Sequence, residues 1–350
     1  MLKRLSILSA ALAATLSLSA QQLPEWQDHR TVSVGKYPAR TTFMSYERRD
    51  DAVADDFAAS EHYTSLNGVW KFLYFDDHRK VDASKLAVAD AEKWDSIKVP
   101  GNWEVQGFGT PLYTNHPYEF CPVNPKPPVL PEAVPVGVYR HDFEVPYAEL
   151  DRDIFLHIGG AKSGVYVYVN GKKVGYNEDS KTPAEYYLNP FVKQGTNTLT
   201  LVIYRWSTGS FLECQDFFRI SGIERDVYIF SQPKTRIDDF SIVSTIDSTG
   251  RHGLLKLDVE LKNSYNSAEN IAFYYEIVDG AGDIITYDTE DLTLEPNSLD
   301  TLHLSNVVPY VKPWSAEKPN LYTVIMRIKR DGRFVEYVRA RVGFRNIAID

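Results

Sequence analysis

The sequence predicts an all-β chain of two consecutive sandwiches, a jelly roll followed by an immunoglobulin-like domain. Three observations predict it. Runs with strict apolar–polar alternation recur from Ser65 onward. Leu255, Leu257, Val259 and Leu261, for example, alternate with Lys256, Asp258, Glu260 and Lys262, the period-2 signature of a half-buried strand. Turn signals such as Asn170-Gly171 and Asp279-Gly280 separate the runs at the spacing of a sandwich. At 350 residues the chain has room for two such domains.

The elements follow in order. Lys3 and Arg4, an apolar run over 5–16 and the small pair Ser19-Ala20 make residues 1–20 an export signal. That run is shorter than the ~20 residues a membrane span needs. No membrane span is expected, and the mature chain is placed in the periplasm or outside the cell. Residues 21–64, polar and interrupted by Pro24 and Pro38, read as an extended arm. Arg40, Thr41, Phe43 and Tyr46 would dock on a neighbouring surface, or the arm would be a loosely ordered terminus.

The jelly roll is assigned to 65–232. Trp70, Phe72 and Tyr74 alternate as its first strand, 84–94 is a short helical connection, and 97–99 is a strand stopped by Pro100-Gly101. Residues 107–135 are loop, stiffened by eight prolines between Pro111 and Pro135, since each fixes φ. Strands follow at 138–145, 153–158, 164–169, 173–176, 186–188, 199–204 and 227–230. Residues 231–236 read as a linker. The immunoglobulin-like domain is assigned to 233–350, with about seven short strands and without a Cys pair. Residues 342–350 read as a strand still being extended.

Composition narrows the function. The formal charge is −9 and no basic cluster follows Arg4, so nucleic acid is excluded as a partner and an anionic membrane surface is disfavoured. The 22 Tyr, 17 Phe and 6 Trp suit both a β-rich core and a surface that meets sugars. Cys121 and Cys214 stand in an exported chain, where a disulfide is permitted, but sequence leaves their pairing open. No His cluster, P-loop, dinucleotide fingerprint, HExxH or GxSxG is present.

Chemistry concentrates in RWSTGSFLECQDFFRISGIERDVY, residues 205–228, a long polar and aromatic loop between two strands. Glu213 and Asp216 would serve as acid and base of a glycosidase. Alternatively, Arg219 or Arg225 would pair with Asp216 or Asp226 and brace the loop. In the Pro-rich loop Asn115, His116, Tyr118 and Asn124 offer hydrogen bonds that suit sugar hydroxyls, or Asn115 makes a turn before His116-Pro117. Arg205 and Trp206 would stack as a cation–π pair or against a sugar face. Glu178, Asp179 and Lys181 read as a solvated, charge-mixed turn.

Several stretches, in order, resemble glycoside hydrolase family 2, and its β-galactosidases in particular. They are LNGVWKF (66–72), VPGNWEVQGFGTPLYTN (99–115), VYVNGKKVGYNEDSKTPAEY (167–186), the 205–228 loop, KPWSAEKPNLYTV (312–324) and VGFRNIAI (342–349). The resemblance implies a galactose-binding-like jelly roll and an immunoglobulin-like domain. In the family these precede a C-terminal catalytic barrel with two catalytic glutamates and a magnesium site. The expectation is therefore that these 350 residues alone are inactive and hold neither those glutamates nor the magnesium ligands. The resemblance carries Asn115 in PLYTN into the galactosyl subsite. It carries Asp216 in ECQDFF onto a galactose hydroxyl and a sodium ion shared with the barrel. Cys214 departs from the pattern, standing where close relatives often carry an acid. The implied partners are a β-galactoside, the barrel and further copies of the chain in a homo-oligomer, with the arm ordered in that assembly. A stand-alone or truncated carbohydrate-binding or interaction module without turnover is the alternative.

Overall fold

Alternating apolar residues close two sandwiches in the computed structural model of the chain, which describes residues 23–115 and 118–348. The export segment and His116 lie outside the described residues. In the first sandwich seven strands pair in the order Ser33–Val34, Lys172–Asn177, Gly164–Val169, Gly195–Tyr204, Val136–Val145, Gly68–Phe75 and Asp95–Val99. A four-stranded sheet, Ala184–Tyr187, Asp153–Ile158, Val227–Gln232 and Tyr63–Ser65, packs against it. Trp70, Phe72, Tyr139, Leu156, Val167 and Leu201 fill the space between. Several neighbours in the sheets are distant in sequence, such as Gly195–Tyr204 beside Val136–Val145 and Val136–Val145 beside Gly68–Phe75, as the crossings of a jelly roll require. The larger sheet is covered on its other face too, where Val138, Tyr166, Tyr176 and Tyr204 pack with Trp26.

The second sandwich has the seven strands expected. Thr235–Ile246, Gly253–Asn263 and Leu299–Val308 form one sheet, and Ile284–Leu294, Glu269–Val278, Tyr322–Arg330 and Arg333–Val342 the other. Leu255, Leu257, Val259 and Leu261 point into the core against Phe273, Tyr275, Val324 and Met326. All pairings in both sandwiches are antiparallel.

Three local expectations are corrected. The linker at 231–236 is only Pro233 and Lys234, because the strands Val227–Gln232 and Thr235–Ile246 run up to them. Gln232 Nε2 donates to Ile237 O at 3.2 Å and to Glu336 Oε1 at 3.0 Å, so the polar residues at the junction are bonded rather than solvated. The helical connection shrinks to Ala83–Leu86, capped by Asp82. Arg140 takes the carbonyls of Leu86 and Ala89 that a longer helix would need for its own ladder.

The terminal strand ends at Val342. Asn346 then leaves the sheet to bond Ile246 N and O at 2.9 Å each. The arm docks on a neighbouring surface, the first of its two expected alternatives, and that surface is this same chain. Ser33–Val34 pairs with Lys172–Asn177, Trp26, Met44, Tyr46 and Ala52 are buried, and Tyr46 and Tyr337 exchange backbone hydrogen bonds of 2.9 Å. Its apolar residues lack strand or helix periodicity because each fills a separate gap in the sandwiches.

Candidate functional site

The 205–228 loop is clamped at both ends. At its start, buried Arg205 donates through Nη2 to Thr110 O at 3.2 Å and to Arg219 O at 3.1 Å. Its guanidinium lies 5.3 Å from the Trp206 ring, the cation–π pair that the sequence suggests. Toward its far end, Ser221 N donates to Glu104 Oε2 at 2.7 Å. Gly222–Ile223 then pairs with Gly101–Asn102 on one side and Ala161–Lys162 on the other. Gly222 has φ +123°, and a Cβ there would lie 2.8 Å from Gly101 O, so this closure admits only glycine.

Between the clamps, Ser210–Glu213 forms one helical turn, and Phe217–Arg219 pairs antiparallel with Leu112–Thr114 from the Pro-rich loop. Two stretches read as irregular from sequence thus form one two-stranded ribbon. Thr114 sits opposite Phe217, so the next positions, Asn115 and Asp216, leave the ribbon side by side. Both are exposed. The Tyr113 hydroxyl donates to Asp216 Oδ1 at 2.9 Å, and the Tyr113 ring meets Phe218 edge-on at 5.5 Å. One ribbon face therefore presents a carboxylate, an amide and two rings to solvent. Such a face hydrogen-bonds hydroxyls and packs against the apolar side of a sugar ring.

The acid pair separates. Ser180 donates to Glu213 through its backbone N, at 2.8 Å to Oε1, and through its hydroxyl to Oε2. That carboxylate straps the loop to the 178–182 turn. The bracing alternative also takes a different form. Arg219 is buried with its Nε 3.6 Å from Glu119 Oε2, and Arg225 donates to the carbonyls of Lys181 and Gly159 at 2.7 and 3.2 Å. Asp226 instead accepts from Asn67 Nδ2 at 2.9 Å. Tyr118 packs its ring on Phe120 and Phe211, and exposed Asn124 takes a left-handed turn position, φ 50°.

Glu178 is not a solvated turn residue. It is buried and accepts from Tyr176 OH at 3.0 Å and Thr208 Oγ1 at 3.1 Å, and burial raises its pKa. Sequence reasoning also missed Glu119. Its Oε1 accepts from Trp206 Nε1 at 2.9 Å and its Oε2 faces Arg219, which ties the Pro-rich loop to the 205–228 loop. Cys214 Sγ points at the same carboxylate at 3.5 Å. Burial, aided by Glu119, pushes that thiol up to about 12, so it is a protonated donor at neutral pH. A thiol fits beside Glu119 where a second carboxylate would repel it. Cys121 and Cys214 are both free.

Among the described residues, no group of three or more His, Cys, Asp or Glu is placed to hold a metal ion. No helix there is long and apolar enough to cross a membrane.

The family model "Glycosyl hydrolases family 2, sugar binding domain" matches residues 63–233, and "Glycosyl hydrolases family 2" matches 235–345. The chain is 34% identical over 336 residues to a β-galactosidase of Priestia megaterium, covering 94% of this chain and 32% of that protein. It is 34% identical over 328 residues to a β-galactosidase of Halalkalibacterium halodurans, covering 92% and 31%. It thus spans about a third of the length of the curated relatives it matches. Among solved structures, a Bacteroides uniformis β-glucuronidase aligns with a TM-score of 0.67 at 21% identity, over 81% of this chain and 32% of that one. That likeness speaks to the fold alone.

Proposed function

The chain belongs to glycoside hydrolase family 2, and on that premise we propose that it forms the non-catalytic N-terminal portion of an exported β-galactosidase and supplies one wall of its galactosyl subsite. The observation that carries the reading is the pairing of Leu112–Thr114 with Phe217–Arg219, which brings Asn115 and Asp216 together on an exposed face. Asp216 accepts a galactosyl hydroxyl there, and the Asn115 amide donates to or accepts from a neighbouring one. Hydrolysis of the β-galactoside, with retention, belongs to a C-terminal barrel that brings its own glutamates and magnesium ligands.

Sodium fits this face only as a shared ion. Asp216 Oδ2 has no hydrogen-bond partner among the described residues, and a carboxylate oxygen is a suitable hard ligand. One carboxylate does not complete a coordination shell, so the remaining oxygens come from the barrel. When bound, the ion would anchor a substrate oxygen beside Asp216.

The test is Asp216→Ala in the β-galactosidase carrying this chain. Losing a charge-assisted hydrogen bond is expected to raise KM for an aryl β-galactoside roughly tenfold or more and to blunt the response to sodium. Unchanged kinetics across a sodium titration would overturn the assignment. The 350 residues alone are expected to give no turnover of the same substrate. Turnover abolished by Asp216→Ala would return catalysis to this chain.

A further inference from the structure

We infer that Tyr113 is the positioning residue for Asp216, holding one carboxylate oxygen so that the other faces the ligand. The inference rests on the galactosyl-subsite reading and adds a residue to it. Asp216 sits just outside the ribbon, at the end of a one-turn helix and a bend. Its side chain has two rotatable bonds and is exposed, so unaided it would sample several rotamers. The Tyr113 hydroxyl donates to Oδ1 at 2.9 Å and limits that choice. Oδ2 carries no hydrogen bond among the described residues and is left for a sugar hydroxyl or a cation.

Tyr113 is itself held on a defined support. Its backbone pairs opposite Phe218, and the two rings meet edge-on at 5.5 Å. Tyr113 is nonetheless 64% exposed and Phe218 56%. A hydroxyl used only to stabilise the fold would be expected in the core, whereas this one spends its hydrogen bond on an exposed acid.

One variant, read by KM and by sodium response, tests this. In the β-galactosidase carrying the chain, Tyr113→Phe keeps the ring and its contact with Phe218 and removes only the hydroxyl. KM is expected to rise roughly three- to tenfold, with kcat changing by less than about twofold. The sodium concentration giving half-maximal activity is expected to rise in parallel. If Asp216→Ala raises KM while Tyr113→Phe moves neither KM nor the sodium response, the positioning role is overturned and the subsite stands. If neither variant moves KM, the subsite reading falls, and the positioning role with it.

Discussion

Glu178 and Glu336 are both buried, but the donors around them differ in kind. Glu178 accepts from the hydroxyls of Tyr176 and Thr208, with the Ser207 hydroxyl and the Gly209 N–H also facing it. Glu336 accepts from Gln232 Nε2 at 3.0 Å and Ile237 N at 2.7 Å, with the Ser45 hydroxyl also facing it. Burial raises both pKa values above 4.5, so the folded chain holds these protons more tightly than the unfolded one. The stability they contribute is complete below the unfolded value and is lost as pH rises through the raised folded values. Glu178→Gln removes one such dependence. A hydroxyl turns to accept from the new amide, so the melting temperature is expected to hold at pH 7 and to fall less steeply above pH 4.5. Glu336→Gln sets an amide NH2 against N–H donors that do not turn, because the Gln232 oxygen already accepts from Arg40 at 3.2 Å. It is expected to cost about 1–3 kcal/mol. Equal losses in calorimetry across that pH range would refute the distinction. Sequence could not tell the two acids apart. The Asn177-Glu178-Asp179 run looks like a turn, and the Thr208 hydroxyl that makes it buried lies thirty positions away.

A two-stranded ribbon is marginal by itself, and Leu112–Thr114 with Phe217–Arg219 has three residue pairs. Glu119 supplies support from outside the ribbon. It holds Trp206 at the loop's start and faces Arg219 at the ribbon's inner edge. Glu119→Ala leaves the buried Arg219 without this carboxylate and frees the Trp206 N–H. Its effect is expected to be local, with faster amide exchange at 112–114 and 217–219 and little change at the Leu156 or Leu201 strands in the core. Uniformly faster exchange across the first sandwich would show instead that Glu119 supports the whole domain. The legibility of the site follows from the same geometry. PLYTN and ECQDFF are legible as motifs, and they make Asn115 and Asp216 the site candidates. Their pairing is not legible, because strands of three residues among prolines and turn residues carry too little alternation to register. The long strands are plain because Gly253–Asn263 buries one full face of alternating apolar side chains and Gly195–Tyr204 ends in a run buried on both faces.

At the scale of the molecule, the two sandwiches and the arm meet in a buried polar network, which polar composition had disguised as a linker. Arg236 of the second sandwich bonds Asp153 of the first, Asp238 on its own strand at 2.9 Å and Tyr37 of the arm at 3.1 Å. Tyr37 donates to Asp238, and Arg40 bonds Glu185 at 2.7 Å and the Asp238 carbonyl at 3.2 Å. Arg236 and Asp153 are each 2% exposed in their side chains, so neither charge is solvated without the other. Removing the cation alone leaves Asp153 and Asp238 unneutralised in a low-dielectric seam. Arg236→Ala is therefore expected to cost about 3–5 kcal/mol. Because the loss falls where the sandwiches touch, it is also expected to split one calorimetric transition into two. Lys234 lies two residues away and pairs with Asp151 at 2.8 Å, but that aspartate is 81% exposed. Lys234→Ala is expected to change stability by less than about 1 kcal/mol and to keep a single transition. If both variants shift one transition by the same amount, the network does not couple the sandwiches. The orientation of the Asp216 ribbon relative to the second domain would then have to be held by the packing of the arm instead.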